Sequence, residues 1–165
     1  MPQHGTYWCI PASIENMLRC VGCHALSQED LVEAFIRAHV GGGFAQAARH
    51  IVLENFRCAP LPGAFFGSFK TVAERLLGTN LRDRTIVHLN GLARDEYLRE
   101  TKSRISTDEP VLISARSGPA TCHITVVFAY EGDVLSTCDP ALGRAIALDA
   151  AQIQFEPDLL TFERT

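Results

Sequence analysis

Cys9, His123 and Asp139 are the residue types that together make an activated nucleophile, and Gln3 is the type that steadies what such a nucleophile creates. A thiol attacks well only as thiolate. Cys9 stands at the predicted start of a helix, where the partial positive charge of the helix N-terminus lowers a thiol pKa, and a neighbouring imidazolium lowers it further. His123 is the candidate base. It needs a third group to fix its tautomer and ring orientation, and Asp139 is of the right type to do this. The tetrahedral oxyanion needs donors. Gln3, six residues before Cys9, offers a side-chain NH2, and the Cys9 backbone N–H offers the second.

These residues have to be brought together by the elements around them. Cys9 to Val21 carries Ile10, Ile14, Met17, Leu18 and Val21 on one helical face, with Pro11 in the first turn and Gly22 as the stop. Ser27 followed by Asp30 predicts a capped start for a second helix to about His39, burying Leu31, Ala34, Phe35 and Ala38. A third helix is expected over about 44–55. After the Pro60–Gly63 loop, a fourth is expected over about 68–77, with Phe69, Val72, Ala73 and Leu76 inward. The second half changes period. Strands are predicted at Thr85–Leu89, Val111–Ala115, His123–Tyr130, Val134–Cys138, Ala145–Leu148 and Leu159–Glu163. A charged helix falls between the first two, over 93–106, and a short helix is expected over 149–155. Glu131-Gly132-Asp133 reads as a hairpin turn, which sets the His123 strand beside the strand that ends at Asp139, with both residues away from the turn. Helices first and an antiparallel sheet after predict an α+β chain. It reads as one domain over 1–165, with a helical half to about residue 78 packed on a sheet half from about 79, and a ligand cleft between them.

Length and composition agree with a single domain: 165 residues, 47% hydrophobic and 21% charged. Net charge is −4, and neither half is basic, which argues against a nucleic-acid partner. No apolar run reaches the roughly 18 residues of a membrane span, which argues against a membrane partner. The polar start without a basic n-region predicts a cytoplasmic protein, export without a cleaved signal staying open. Six cysteines in such a chain read as reduced thiols rather than as three disulfides.

Taken together, these residues resemble a known family. Gln3 to Cys9 looks like the Q-x5-C opening of papain-like cysteine peptidases. Cys9-Ile10-Pro11-Ala12-Ser13, then Met17-Leu18-Arg19 and Gly22, is more similar to one bacterial branch. That branch is the peptidase domain that removes double-glycine leaders from bacteriocins, with its stand-alone relatives. His123-Ile124-Thr125-Val126-Val127, then Tyr130-Glu131-Gly132-Asp133, then Asp139-Pro140 and Gly143, resembles the same branch's His strand, turn and Asp-Pro. The resemblance implies a papain-like fold with the active-site cleft between helices and sheet. It implies Cys9 as nucleophile, His123 as base, Asp139 as orienting residue and Gln3 as oxyanion donor, with no metal or organic cofactor. Peptide or isopeptide bonds are the implied substrate. Ile10 departs from the family's usual Gly, and Trp8 from its usual polar residue.

Other readings remain beside this one. The same triad serves an acyltransferase or transglutaminase-like enzyme if an amine or thiol replaces water. A catalytically inactive peptidase-like fold can bind peptides. Cys20-Val21-Gly22-Cys23-His24 matches a haem-attachment pattern, but it falls where the first helix ends, and a coincidence of that turn is the better reading. Gly41-Gly42-Gly43 lacks the Lys-Ser/Thr of a phosphate loop. Phe65-Phe66 is read as core, and Trp8 as either a pocket wall or a buried residue under the first helix.

Overall fold

Helices bury a stripe and strands alternate, so a chain that switches period must sort its apolar residues onto two kinds of surface. The computed structural model describes residues 1–5, 8–39, 66–77, 83–118 and 121–164. Along them run α1 (Cys9–Cys20), α2 (Gln28–His39), α3 (Phe66–Leu77), β1 (Arg84–Leu89), α4 (Arg94–Ile105), β2 (Val111–Gly118), β3 (Thr121–Glu131), β4 (Val134–Asp139), β5 (Arg144–Asp149) and β6 (Gln154–Arg164). The helix expected over 44–55, the Gly41–Gly43 and Pro60–Gly63 loops, Cys58, Phe65 and the junction at 78–82 lie outside the described residues, as do the side chains of Phe66 and Cys122.

The strands form one sheet in the order β1-β6-β2-β3-β4-β5, and every neighbouring pair is antiparallel. Helices and an antiparallel sheet make the chain α+β. One layer of the core sets α1 and α3 on the sheet, with α2 packed on those two helices: Ile10, Ile14, Leu31, Phe35 and Phe69 share one buried cluster with Leu112, Ile124, Val126, Leu160 and Phe162. The opposite sheet face carries Val111, Ile113, Val127, Leu135 and Leu159, and Tyr97 of α4 covers it. Each such side chain contributes about 1.5–3 kcal/mol when buried, so leaving that face bare would forgo several kcal/mol. The charged helix is therefore more than a solvated surface. Its Tyr97 and Thr101 are buried, and Arg104 donates to Phe162 O at 3.2 Å.

Helix boundaries follow the local chemistry. Ser27 and Asp30 close a reciprocal cap: Asp30 N–H donates to Ser27 Oγ at 3.2 Å, and Ser27 N–H to Asp30 Oδ2 at 3.0 Å. Gly22, at φ +77°, ends α1, with Cys23 N–H reaching back to Leu18 O at 2.9 Å. The β3–β4 hairpin turns through Gly132, at φ +58°, with Glu131 paired to Val134.

Three expectations need correction. In α3, Leu76 is 40% exposed and Leu77 is buried in its place. In α2, Ala38 is exposed and Ala34 only half-buried, while Val32 and Ile36 are buried with Leu31 and Phe35. Larger side chains claim the inward positions because they bury more area than Ala. The helix expected over 149–155 is a single 3-10 turn, Ala150–Gln152, started by Asp149 Oδ1 accepting from Ala151 N–H at 2.9 Å, and β6 takes over from Gln154. No helix among the described residues is long and apolar enough to cross a membrane.

Candidate active site

Cys9 is the first residue of α1. The helix is buried on every side from Ile10 to Leu18, so its start is held against the sheet rather than left at the surface. Ser13, one turn on, donates its Oγ to Ile124 O at 3.1 Å and ties this end of α1 to β3. Backbone groups of Ile124, the residue after His123, and of Ile10 and Cys9 lie near the Cys9 thiol and act to lower its pKa. Trp8 is fully buried and caps the helix, which decides between its two readings. Its indole presses on Gly5, where a Cβ would come within 2.7 Å of the ring. Gly5 is needed for that close approach, and the turn is closed by Trp8 N–H donating to Gly5 O at 3.2 Å.

His123 Nε2 lies 3.0 Å from Asp139 Oδ2, an ion-pair contact without hydrogen-bond alignment. Asp139 is 6% exposed and ends β4. Its other oxygen, Oδ1, accepts from Ala141 N–H at 2.8 Å and Leu142 N–H at 3.1 Å. The carboxylate therefore caps its own turn and faces the histidine at the same time.

Gln3 sits on the same turn. Its backbone N–H donates to Pro140 O at 2.7 Å, and its side-chain Oε1 is buried. The segment around it is held by α1 and α2: Met1 N donates to Asn16 Oδ1 at 2.6 Å, Asn16 Nδ2 to Met1 O at 3.0 Å, and Gln28 bonds residues 2 and 4. Pro2 packs at Gly143, where a Cβ would come within 3.0 Å of it. The structure thus brings His123 to Asp139 and the Gln3 backbone to the turn after Asp139, with the start of α1, where Cys9 stands, tied to β3 beside His123.

The electrostatics of Cys9 differ from the sequence expectation. The thiol pKa is raised, chiefly by burial and further by the nearby Asp139 carboxylate. The neighbouring backbone groups act in the lowering direction, as a helix start should, but desolvation outweighs them. The half-buried thiol is held toward its neutral form, and activation falls to whatever takes its proton during attack.

Sequence reading missed the polar residues that hold the site. Ser13, Glu15, Asn16 and Gln28 are all buried. Glu15 and Asn16 sit in a largely apolar helix, and that clash of polar residues with a buried element was the available signal. The Cys20-x-x-Cys23-His24 segment forms the end of α1 and its turn, with Cys20 exposed and His24 Nδ1 3.4 Å from an Arg19 guanidinium nitrogen. Among the described residues, no three His, Cys, Asp or Glu side chains gather to hold a metal. Set against known proteins, the chain matches no family model and no curated protein.

Proposed function

We propose that the protein is a papain-like cysteine peptidase or amide hydrolase acting on peptide or isopeptide bonds. The observation that carries this reading is the His123–Asp139 contact, 3.0 Å long, on the strand to which Ser13 ties the start of α1, the helix whose first residue is Cys9. In the reaction the Nε2–Oδ2 contact closes into a hydrogen bond, which puts the proton on Nε2 and leaves Nδ1 as the basic nitrogen. Nδ1 takes the Cys9 proton as sulfur attacks the carbonyl carbon. The oxyanion is met by the Cys9 N–H and the Gln3 side-chain NH2. The imidazolium then gives its proton to the leaving amine. Water, deprotonated in turn by His123, attacks the thioester, releases the acid and restores the thiol.

The lack of hydrogen-bond alignment between His123 and Asp139, together with the raised Cys9 pKa, favours a second reading, a peptide-binding module without turnover. One experiment separates the two. The protein, Cys9→Ala and His123→Ala are incubated with a fluorogenic peptide library and with a peptidyl acyloxymethyl ketone, and the adduct is located by mass spectrometry. Cleavage and a Cys9 adduct, both lost in each variant, support the hydrolase. Peptide binding with no cleavage and no Cys9 adduct in the unaltered chain overturns it in favour of the binding module.

A further inference from the structure

We propose that Gln28, at the start of α2, is the positioning residue that holds Gln3 in register with the site, acting as a splint on the main chain either side of it. The proposal rests on Gln3 as oxyanion donor in the hydrolase reading. Gln28 is fully buried. Its Oε1 accepts from His4 N–H at 2.9 Å, and its Nε2 donates to Pro2 O at 2.9 Å. In extended chain the carbonyl of one residue and the N–H two residues on point the same way, and the N–H between them points the opposite way. Residues 2–4 follow this pattern, with two groups on Gln28 and the Gln3 N–H on Pro140 O at 2.7 Å. Gln3 is thus clamped between α2 and the turn that Asp139 caps.

The amide of Gln28 is itself oriented. Its second N–H donates to Glu15 Oε2 at 3.0 Å, which prevents the amide from flipping. Glu15 is buried in α1, and its other oxygen takes Arg19 Nε at 3.1 Å and Arg19 Nη2 at 2.8 Å. A continuous polar chain therefore runs from the Arg19 guanidinium through Glu15 and Gln28 to the backbone beside Gln3. Cys9 and Glu15 share one helix, so this chain references Gln3 to the element that carries the nucleophile. Buried polar groups this completely satisfied specify one geometry, and an oxyanion donor needs its geometry fixed before the charge develops.

The test is Gln28→Met, which keeps the length and bulk of the side chain and removes its donors and acceptor; Gln28→Asn, one methylene shorter, replaces it if the first variant fails to fold. Peptide hydrolysis should lose kcat by about tenfold to a hundredfold with KM little changed, because the donor acts on the developing charge. The loss should vanish in a Gln3→Ala background, and alkylation of Cys9 by iodoacetamide should be unaffected. Amide hydrogen exchange at Gln3 and His4 should accelerate while α1 and the sheet keep their protection. Equal kcat losses in the presence and absence of Gln3, or unchanged exchange at Gln3 and His4, would overturn the proposal and leave Gln28 a residue of general stability. Faster exchange at Gln3 in a protein that cleaves no peptide would sink the hydrolase reading while supporting Gln28 as the splint.

Discussion

The two oxygens of Asp139 are committed to different partners, and substitution can separate them. Oδ1 holds the Ala141 and Leu142 N–H groups and Oδ2 faces His123 Nε2. Asp139→Asn keeps an oxygen for the turn and thereby presents its NH2 to Nε2. That arrangement forces the ring proton onto Nδ1 and removes the base. Asp139→Asn should therefore fold about as well as the unaltered chain and lose hydrolysis by about 10²–10⁴-fold. Asp139→Ala should lose hydrolysis and also about 1–2 kcal/mol of stability, since two turn amides lose their acceptor. Urea titration alongside peptide cleavage distinguishes the two. At Cys9 the raised pKa predicts that iodoacetamide labelling climbs only above the ordinary thiol value of about 8.5. A labelling profile with its midpoint near or below neutral pH would contradict the neutral resting thiol and favour a preformed thiolate–imidazolium pair.

At the scale of the element, the site depends on how α1 is entered. Gly5 and Trp8 form the step onto the helix, with the indole where a Gly5 side chain would be. Gly5→Ala should cost about 1–3 kcal/mol through this overlap and should slow hydrolysis by displacing Gln3, read by thermal unfolding and by kcat. The same elements show what a sequence can and cannot disclose. The Ser27–Asp30 cap, the Gly22 stop and the Gly132 turn were legible because each rests on a local hydrogen bond or a local φ requirement. The pairing of the His123 strand with the Asp139 strand followed from that turn alone. The inward choice of Leu77 over Leu76 was not legible, because one step along a helix rotates a residue by about 100° and only the neighbouring sheet decides which leucine it takes. Gln28 was invisible for the same reason: its partners are at positions 2, 4 and 15, and no local pattern links them. The Cys9 pKa was misjudged because a helix start is a sequence-level feature and desolvation is not.

Across the whole molecule, burial of ionisable hydroxyl and thiol groups sets an alkaline limit on stability. Tyr97 is buried between α4 and the sheet, stacked on Phe155 with centroids 4.9 Å apart, and its OH donates to Asp158 O at 3.2 Å. Burial pushes its pKa well above the ordinary phenol range, and burial likewise raises Cys9. For groups raised in the fold, the unfolded chain ionises first. Their contribution is complete below the unfolded values, about 8.5 for a thiol and about 10 for a phenol, and is lost as pH rises through that range toward the folded values. The urea midpoint should therefore hold steady between about pH 6 and 8, and should fall from about pH 9 upward. Tyr97→Phe isolates the phenol. It should cost about 0.5–1.5 kcal/mol at neutral pH, because the Asp158 carbonyl loses its donor while the stacked ring is kept. Above about pH 10 the variant should lose stability less steeply than the unaltered chain, so that the two urea midpoints converge. Parallel curves at all pH values would mean that the Tyr97 phenol ionises as freely in the fold as in the unfolded chain, and that the α4 face of the sheet admits water.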